Sequence, residues 1–191
     1  MSLFASGNQT VGPYLHIGLN WLVTRDIAGK GVKGERVTIA GRLIDGDGAG
    51  VNDGLIEIWQ ANAAGRYAHP EDNRADIALD PYFLGFGRCA LDQSGGFRFR
   101  TVQPGRVPGP GNTLQAPHIA LGIAGPGFLK RLATRIYFAD CRAENAEDPI
   151  LGFVPEERRS TLLAVQEPGQ ENLYRFDIRL SGERETVFFD I

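Results

Sequence analysis

The chain has 191 residues, of which 42% are hydrophobic and 23% are charged, and its formal net charge is −3. This length and balance suit one globular domain with a sizeable core and exclude a disordered chain. Nucleic acids and anionic membranes favour basic faces, so the slight negative charge favours a small molecule or a protein partner instead. No apolar run reaches the roughly 20 residues of a membrane span, and no leader pattern follows the first residues. We therefore expect a cytoplasmic protein.

Short segments with period-two alternation recur along the chain between clusters of Gly, Pro, Asn and Asp. This pattern is typical of an all-β sandwich or barrel. In the predicted strand 173–180 the apolar residues fall on one face and the charged residues on the other, which indicates a sheet with one solvated side. The predicted strands, in chain order, are 36–44, 55–60, 97–102, 118–123, 134–138, 161–166, 173–180 and 186–190.

The segments between these strands predict turns and loops. Residues 41–60 are predicted to form a strand, a tight turn rich in Asp and Gly, and a second strand. Residues 102–111 contain too many glycines and prolines for a central strand, so we predict an ordered loop that leads into 116–119. Helix signals are weak and allow only short turns at 21–27 and 148–158. No linker divides the chain, and we predict one domain over 1–191.

The two cysteines, Cys89 and Cys141, lie far apart in the sequence. Neither has a neighbouring Cys or His at the spacing of a zinc site or a redox pair. We expect both to be packed free thiols.

The stretch from Gly41 to Tyr67 resembles the signature of the intradiol ring-cleaving dioxygenases. It has spaced glycines, Glu57 between apolar residues, and then Gly65 followed by Tyr67. Further segments similar to that family are TVGPYLHIG at 10–18, APHI at 116–119, YRFDIR at 174–179 and FFDI at 188–191, so the resemblance covers nearly the whole chain. It implies an antiparallel β-sandwich with long ordered loops.

Members of this family hold a non-haem ferric ion with two tyrosines and two histidines, and tyrosinate is a hard anionic ligand that suits ferric iron. The resemblance places one tyrosine at Tyr67 and the other at Val107, which cannot coordinate. It places the histidines at His118 and at Ala120, two positions apart on one face of a strand. The arginine that the family places before the histidines matches Gln115. The resemblance therefore implies relic ligand positions at Tyr67 and His118, and no catalytic iron on this chain.

Each of these residues also has a purely structural interpretation. Tyr67 can be a packed ring with a hydrogen-bonded hydroxyl, and His118 can be a satisfied core histidine on an apolar strand. His69 lies in a polar run, AHPED, and is most simply a solvated loop residue.

The resemblance is particularly to the alpha-type chain of the two-chain enzymes in this family, in which a beta-type chain carries Fe(III). In those enzymes the segment that matches Gly12-Pro13-Tyr14 forms a wall of the partner's substrate pocket. A glycine permits close approach to a flat ring, and a tyrosine supplies an edge with one hydroxyl. Alpha-type chains also carry a basic residue that faces the substrate carboxylate, where this chain has Pro126. Lys130, Arg131 or groups of the beta-type chain are the candidate replacements.

We therefore predict a subunit that is inactive alone and obligately paired with an iron-bearing beta-type chain in a hetero-oligomer. Residues 1–35 are predicted to form an arm that contacts other subunits. The substrates of the pair would be O2 and an aromatic diol acid. Two alternatives remain open: a self-sufficient single-chain catechol enzyme, which needs four ligands in one chain, and a non-catalytic β-sandwich module that binds a ligand or partner.

Overall fold

A computed structural model describes Gly18 and residues 20–190. Gly12, Pro13 and Tyr14, predicted to form a pocket wall, lie outside the described residues, as does most of the predicted arm 1–35. The described strands are β1 (Arg36–Ile44), β2 (Leu55–Trp59), β3 (Phe86–Ala90), β4 (Gly96–Val102), β5 (Val107–Pro108), β6 (Leu114–Gln115), β7 (His118–Ala124), β8 (Leu132–Phe138), β9 (Leu163–Gln166), β10 (Leu173–Arg175) and β11 (Ile178–Arg179).

Helical structure in the described residues is short, as the weak helix signals predict. The α-helices are α1 (Arg142–Glu147), α2 (Pro149–Gly152) and α3 (Glu156–Arg159), and 3-10 turns lie at Asn20–Leu22 and Ser160–Leu162. No helix in residues 20–190 is long and apolar enough to cross a membrane.

The strands confirm the predicted all-β sandwich. The main sheet has the order β11-β1-β10-β9-β8-β7-β2-β3, with β4 paired to β1, while β5 and β6 form a separate ribbon. Its two ends fold over one core, in which Ile39 and Phe99 of β1 and β4 join Ile56, Ile119 and Ile136 of β2, β7 and β8. All five of these side chains are almost completely buried. Burial of apolar surface on this scale is the main stabilising term for such a fold.

The sheet differs from the expected purely antiparallel one. β1 pairs in parallel with β10 and β11, and β8 pairs in parallel with β9. The chain between β8 and β9 contains the three α-helices, and this crossover returns it in the same direction. Alternation of apolar and polar residues reports which face is buried but not the direction of the neighbouring strand.

The tight turn after β1 forms as predicted, but the second strand does not return along the first. Oδ1 of Asp45 accepts hydrogen bonds from the backbone N–H groups of Asp47 at 3.0 Å and Ala49 at 2.8 Å. β2 then pairs with β3 and β7 rather than with β1. The segment 41–60 therefore crosses from one part of the sandwich to the other, which places Trp59 and the loop after it beside β7.

Three further differences concern the ends and interruptions of strands. β3 lacks a clear alternating pattern and is absent from the sequence prediction. The predicted strand 173–180 is interrupted at Phe176 and Asp177, although Phe176 N still donates to Ala40 O at 2.9 Å. The predicted strand 186–190 is reduced to an isolated bridge between Ala133 and Phe189.

Both cysteines are free thiols, as predicted. Cys89 is buried in the core. Cys141 is partly buried, and burial raises the pKa of its thiol to about 11. A thiol with a raised pKa carries little thiolate at neutral pH, which fits a structural role.

Candidate functional site

Tyr67 is held on a short, well-braced loop after β2. Its backbone N–H donates to Oδ2 of Asp72 at 2.8 Å. Arg74 donates to Oδ1 of the same carboxylate at 2.8 Å and to the carbonyl of Gly65 at 2.7 Å. The Arg74 hydrogen bond holds the pKa of Asp72 well below its usual range. The ring of Tyr67 stacks on Trp59, with centroids 5.7 Å apart and planes 4° apart, so its position is fixed from two sides.

Two glycines allow the Tyr67 loop and the 102–111 loop to touch. Gly65 has a φ of +83°, a conformation that L side chains rarely adopt, and a Cβ there would clash with the carbonyl of Arg106. A Cβ on Gly105 would lie 2.5 Å from the backbone nitrogen of Gly65. This close contact brings Val107 to the same site as Tyr67.

A cavity of about 430 Å³ lies where these loops meet. Tyr67, Val107 and Gln115 line it together with Trp59, His69 and Arg74. Three positions that the sequence singled out are therefore neighbours in space. His69, interpreted from sequence as a simple solvated loop residue, is exposed but also makes an edge contact with Trp59, with ring centroids 6.0 Å apart.

His118 and Ala120 lie on the same face of β7, as the period of two predicts, but only His118 is deeply buried. Nδ1 of His118 contacts the carbonyl oxygen of Ala116 at 2.8 Å, a hydrogen bond that requires a proton on Nδ1. Burial, reinforced by the positive charge of Arg135, lowers the pKa of His118 to about 4. The imidazole is therefore neutral at physiological pH, as the core-histidine interpretation expects.

The stability of the protein should consequently depend on pH through His118. The folded pKa of about 4 lies below the ordinary 6.5, so between these values the unfolded chain binds a proton that the folded chain does not. Stability should fall as the pH drops through this window, by on the order of 3 kcal/mol in all. His118→Asn, which retains a side-chain N–H but cannot titrate, should remove this slope in urea unfolding measured from pH 7 to pH 4. His69→Asn, at an exposed site, should retain it, and equal slopes in both variants would contradict the assignment.

Arg135 of β8 was not identified from the sequence, yet it contacts Gln115, which lines this cavity. Its Nη1 donates to Oε1 of Gln115 at 2.6 Å and lies 3.5 Å from the hydroxyl of Tyr137. Burial raises the pKa of Tyr67, and the nearby charges of Arg135 and Arg74 oppose that rise. The residues next to Arg135 in the sequence form a strand of mixed polarity and do not indicate that Arg135 contacts this site. Only the pairing of β7 with β8 brings Arg135 beside Gln115.

Lys130 and Arg131 do not line the cavity that contains Tyr67. Lys130 Nζ pairs with Oδ1 of Asp190 at 2.7 Å, and Nε of Arg131 lies 3.6 Å from Oε2 of Glu57. Arg131 lines a second cavity, of about 390 Å³, which also contains Ala120 and Arg135. The role of Lys130 and Arg131 toward a substrate carboxylate stays a prediction.

The side chains present do not fit a resident ferric ion of the family's kind. Val107 and Ala120 have no donor atoms, and Tyr67 and His118 supply at most two protein ligands. In the described part of the chain, no group of three or more His, Cys, Asp or Glu residues is placed to hold a metal ion. A ferric site needs most of its coordination sphere fixed by side chains with supporting hydrogen bonds.

Comparison with known proteins places this chain in a family. The family model described as Dioxygenase matches residues 20–182. Among solved structures, the dioxygenase domain of a dioxygenase carbohydrate-binding protein fusion from Streptomyces sp. SirexAA-E superposes with a TM-score of 0.61 at 24% identity, covering 86% of this chain and 89% of that one. The chain belongs to the intradiol ring-cleaving dioxygenases, as the resemblance in its sequence predicted.

Within that family, the chain is similar to both chain types of one two-chain enzyme. It is 41% identical to the protocatechuate 3,4-dioxygenase alpha chain of Burkholderia cepacia, with 96% of each chain covered. It is also 41% identical to the beta chain from the same organism, but over 80% of this chain and 67% of that protein. The two relatives are equally identical to this chain, and they differ in how much of each chain the match covers.

Proposed function

We propose that this chain is the alpha-type subunit of a protocatechuate 3,4-dioxygenase and that a beta-type partner holds the Fe(III). The pair inserts both atoms of O2 into protocatechuate between its two hydroxyl-bearing carbons, which opens the ring to 3-carboxy-cis,cis-muconate. The observation that carries the proposal is an incomplete ligand set on an otherwise retained fold. Valine and alanine stand at two ligand positions beside Tyr67 and His118, in a chain that an alpha chain matches nearly end to end.

This chain contributes pocket wall and assembly surface rather than chemistry at the metal. Gly12-Pro13-Tyr14 approaches the partner's substrate, and Lys130, Arg131 or groups of the partner bind its carboxylate. Residues 24–28 form bridges to Arg88, Arg100 and Phe83 of their own chain. The subunit contact stays assigned to the arm 1–35, whose later residues also pair with their own chain.

The edge strand β3 supports the proposal of a partner. β3 ends the main sheet, and Thr24 pairs with its outer edge at Arg88, so another chain would pack on the side chains beside β3 rather than on open backbone. Tyr82, Leu84 and Phe86, at alternate positions before and at the start of β3, are 55%, 58% and 38% exposed. Large exposed apolar side chains on a sheet edge are typical of subunit interfaces.

Two free cysteines are consistent with a reducing, cytoplasmic compartment.

The proposal is tested by co-expression with a beta-type chain that has both tyrosines and both histidines. We expect a tag on this chain to capture a stable complex with one ferric ion per pair, a tyrosinate-coloured spectrum and O2 uptake that depends on protocatechuate. This chain purified alone should be colourless and inactive. Tyr67→Phe, which removes only a hydroxyl group, is the matched control and should leave iron per pair unchanged.

The other outcomes identify the alternatives. A coloured, stoichiometric ferric site in the chain alone would support a self-sufficient single-chain enzyme. Failure of any beta-type chain to co-purify would support a non-catalytic binding module. Loss of iron from the pair in Tyr67→Phe would show that Tyr67 is a ligand and not a relic.

A further inference from the structure

The second cavity, of about 390 Å³, lies on the face of β2, β7 and β8 that points away from the core. Trp59, Ala120 and Arg135 stand directly opposite one another on these three strands. Side chains at directly opposed positions of an antiparallel pair share one face of the sheet. The small side chain of Ala120 therefore leaves an open floor between an indole and a guanidinium.

The rim of this cavity has a large aromatic side chain that remains in solvent. Phe153 lines the cavity and is 83% exposed. It follows α2, a short helix whose first N–H groups are capped by Asp148, and its own backbone N–H donates to the carbonyl of Ile150 at 3.1 Å. A ring that is exposed on a well-braced turn, beside a mostly apolar cavity, is typical of a surface that another molecule covers.

The apolar surface continues from this cavity to the sheet edge. Phe86 of β3 is directly opposite Trp59 and is 38% exposed. Phe189 also lines the cavity, and its backbone pairs with Ala133 of β8. The pair of Phe86 and Trp59 therefore joins the exposed side chains at the β3 edge to those of the cavity. A chain that packs at that edge also reaches the cavity.

The cavity also has one positive charge without a counter-ion. Arg131 and Asp190, the other charged residues that line it, have ion-pair partners at 3.6 and 2.7 Å. Among residues 20–190, no carboxylate lies within ion-pair distance of the Arg135 guanidinium, which donates only through Nη1, to Gln115 and towards Tyr137. Its Nε and Nη2 donors have no acceptor there. A second copy joined through the same face would add an equal positive charge, whereas an acidic group of a different chain would neutralise it.

We propose that the beta-type partner chain places an apolar side chain, with a neighbouring carboxylate, in this cavity. The apolar side chain packs on Ala120 between Trp59 and Phe153, and the carboxylate accepts hydrogen bonds from the free N–H groups of Arg135. Aromatic and arginine side chains are enriched in the buried centre of protein interfaces, where most of the binding free energy is concentrated. The cavity is thus a docking site for the partner. The inference rests on the proposed function, because it takes the beta-type chain to be the partner.

Cross-linking in the assembled pair tests which molecule occupies the cavity. The full chain carries the photoreactive p-benzoylphenylalanine either at position 153 or at position 165, and it is co-expressed with a beta-type chain. Val165 of β9 is 57% exposed and lies outside the cavity, so it is a matched control position. After irradiation, we expect a cross-link to the beta-type chain at position 153, in much higher yield than at position 165.

The affinity of the pair tests the two parts of the docking site. Phe153→Asp places a charge where the apolar side chain binds, and it should raise the Kd of the pair about 30-fold, whereas Val165→Asp should raise it no more than about twofold. Arg135→Gln should reduce the dependence of the Kd on salt, and Arg135→Lys, which retains the charge, should keep it. Sedimentation of a dilution series of each purified pair measures the Kd, and thermal melting establishes that each variant is folded. If Phe153→Asp yields no pair, Phe153→Ser replaces it under the same criteria.

The inference is overturned by equal cross-linking at the two positions, by a cross-link from position 153 to a second copy of this chain, or by an unchanged Kd in Phe153→Asp. An unchanged salt dependence in Arg135→Gln also overturns it. So does loss of the cross-link when protocatechuate is added to the intact pair, because a small aromatic acid is then the occupant. If no beta-type chain assembles with this one, both this inference and the proposed function are overturned. A stable, iron-bearing pair that gives any of the earlier results overturns this inference alone.

Discussion

Asp148→Ala is expected to lower the free energy of unfolding by about 3 to 4 kcal/mol. The carboxylate is only 2% exposed and accepts four hydrogen bonds. Three come from the backbone N–H groups of Ala116, Ile150 and Leu151, at 2.6, 2.9 and 2.7 Å, and one comes from the hydroxyl of Tyr137. Alanine would remove the N-cap of α2 and leave these donors unsatisfied in the interior. Chemical denaturation of the purified protein measures the loss.

The neighbouring acid provides a matched control. Glu147 is largely exposed, and its carboxylate pairs with Arg106 at 3.0 Å. Exposed ion pairs contribute about 0 to 1 kcal/mol, so Glu147→Ala should change stability by no more than that. Comparable losses in the two variants would show that general charge, rather than the buried hydrogen-bond network, accounts for the effect of Asp148.

Tyr14→Ala is expected to lower kcat/KM for protocatechuate in the assembled pair by about one to two decades, roughly 1.4 to 2.8 kcal/mol. If Gly12-Pro13-Tyr14 lines the partner's pocket, the variant removes a ring wall and weakens substrate positioning without touching a metal ligand. Iron per pair should remain unchanged. Steady-state O2 uptake and metal analysis on the same preparations measure both quantities.

Tyr14→Phe separates the two contributions of this side chain. It retains the ring, so it should recover most of the rate if packing dominates and little if the hydroxyl contact dominates. His118→Ala provides the contrast, because a core histidine affects stability while turnover per intact pair stays close to normal. If Tyr14→Ala left the kinetics unchanged while His118→Ala abolished iron binding, the roles assigned to the two sites would be reversed.

The outcome at the candidate site shows which of its features are local. That Val107 and Ala120 have no donor atoms depends only on which residues stand there, so the sequence was sufficient for it. The position of Arg135 beside the site was not visible, because it depends on β8 pairing with β7 in a register that places Arg135 against Ala120. His69 likewise gained its contact with Trp59 only through the path of the loop after β2.

The fold likewise has features that the sequence predicts and features that only the tertiary structure decides. Alternation of side chains determined where β1, β2, β4, β7 and β8 lie, since a strand with one buried face must repeat with a period of two. Local turn chemistry likewise determined the bend at Asp45. The tertiary structure alone decided that β2 joins β7 instead of β1, and that β8 and β9 run in parallel. Strand partners are chosen by contacts between residues far apart in sequence, and those contacts also place Arg135 opposite Ala120.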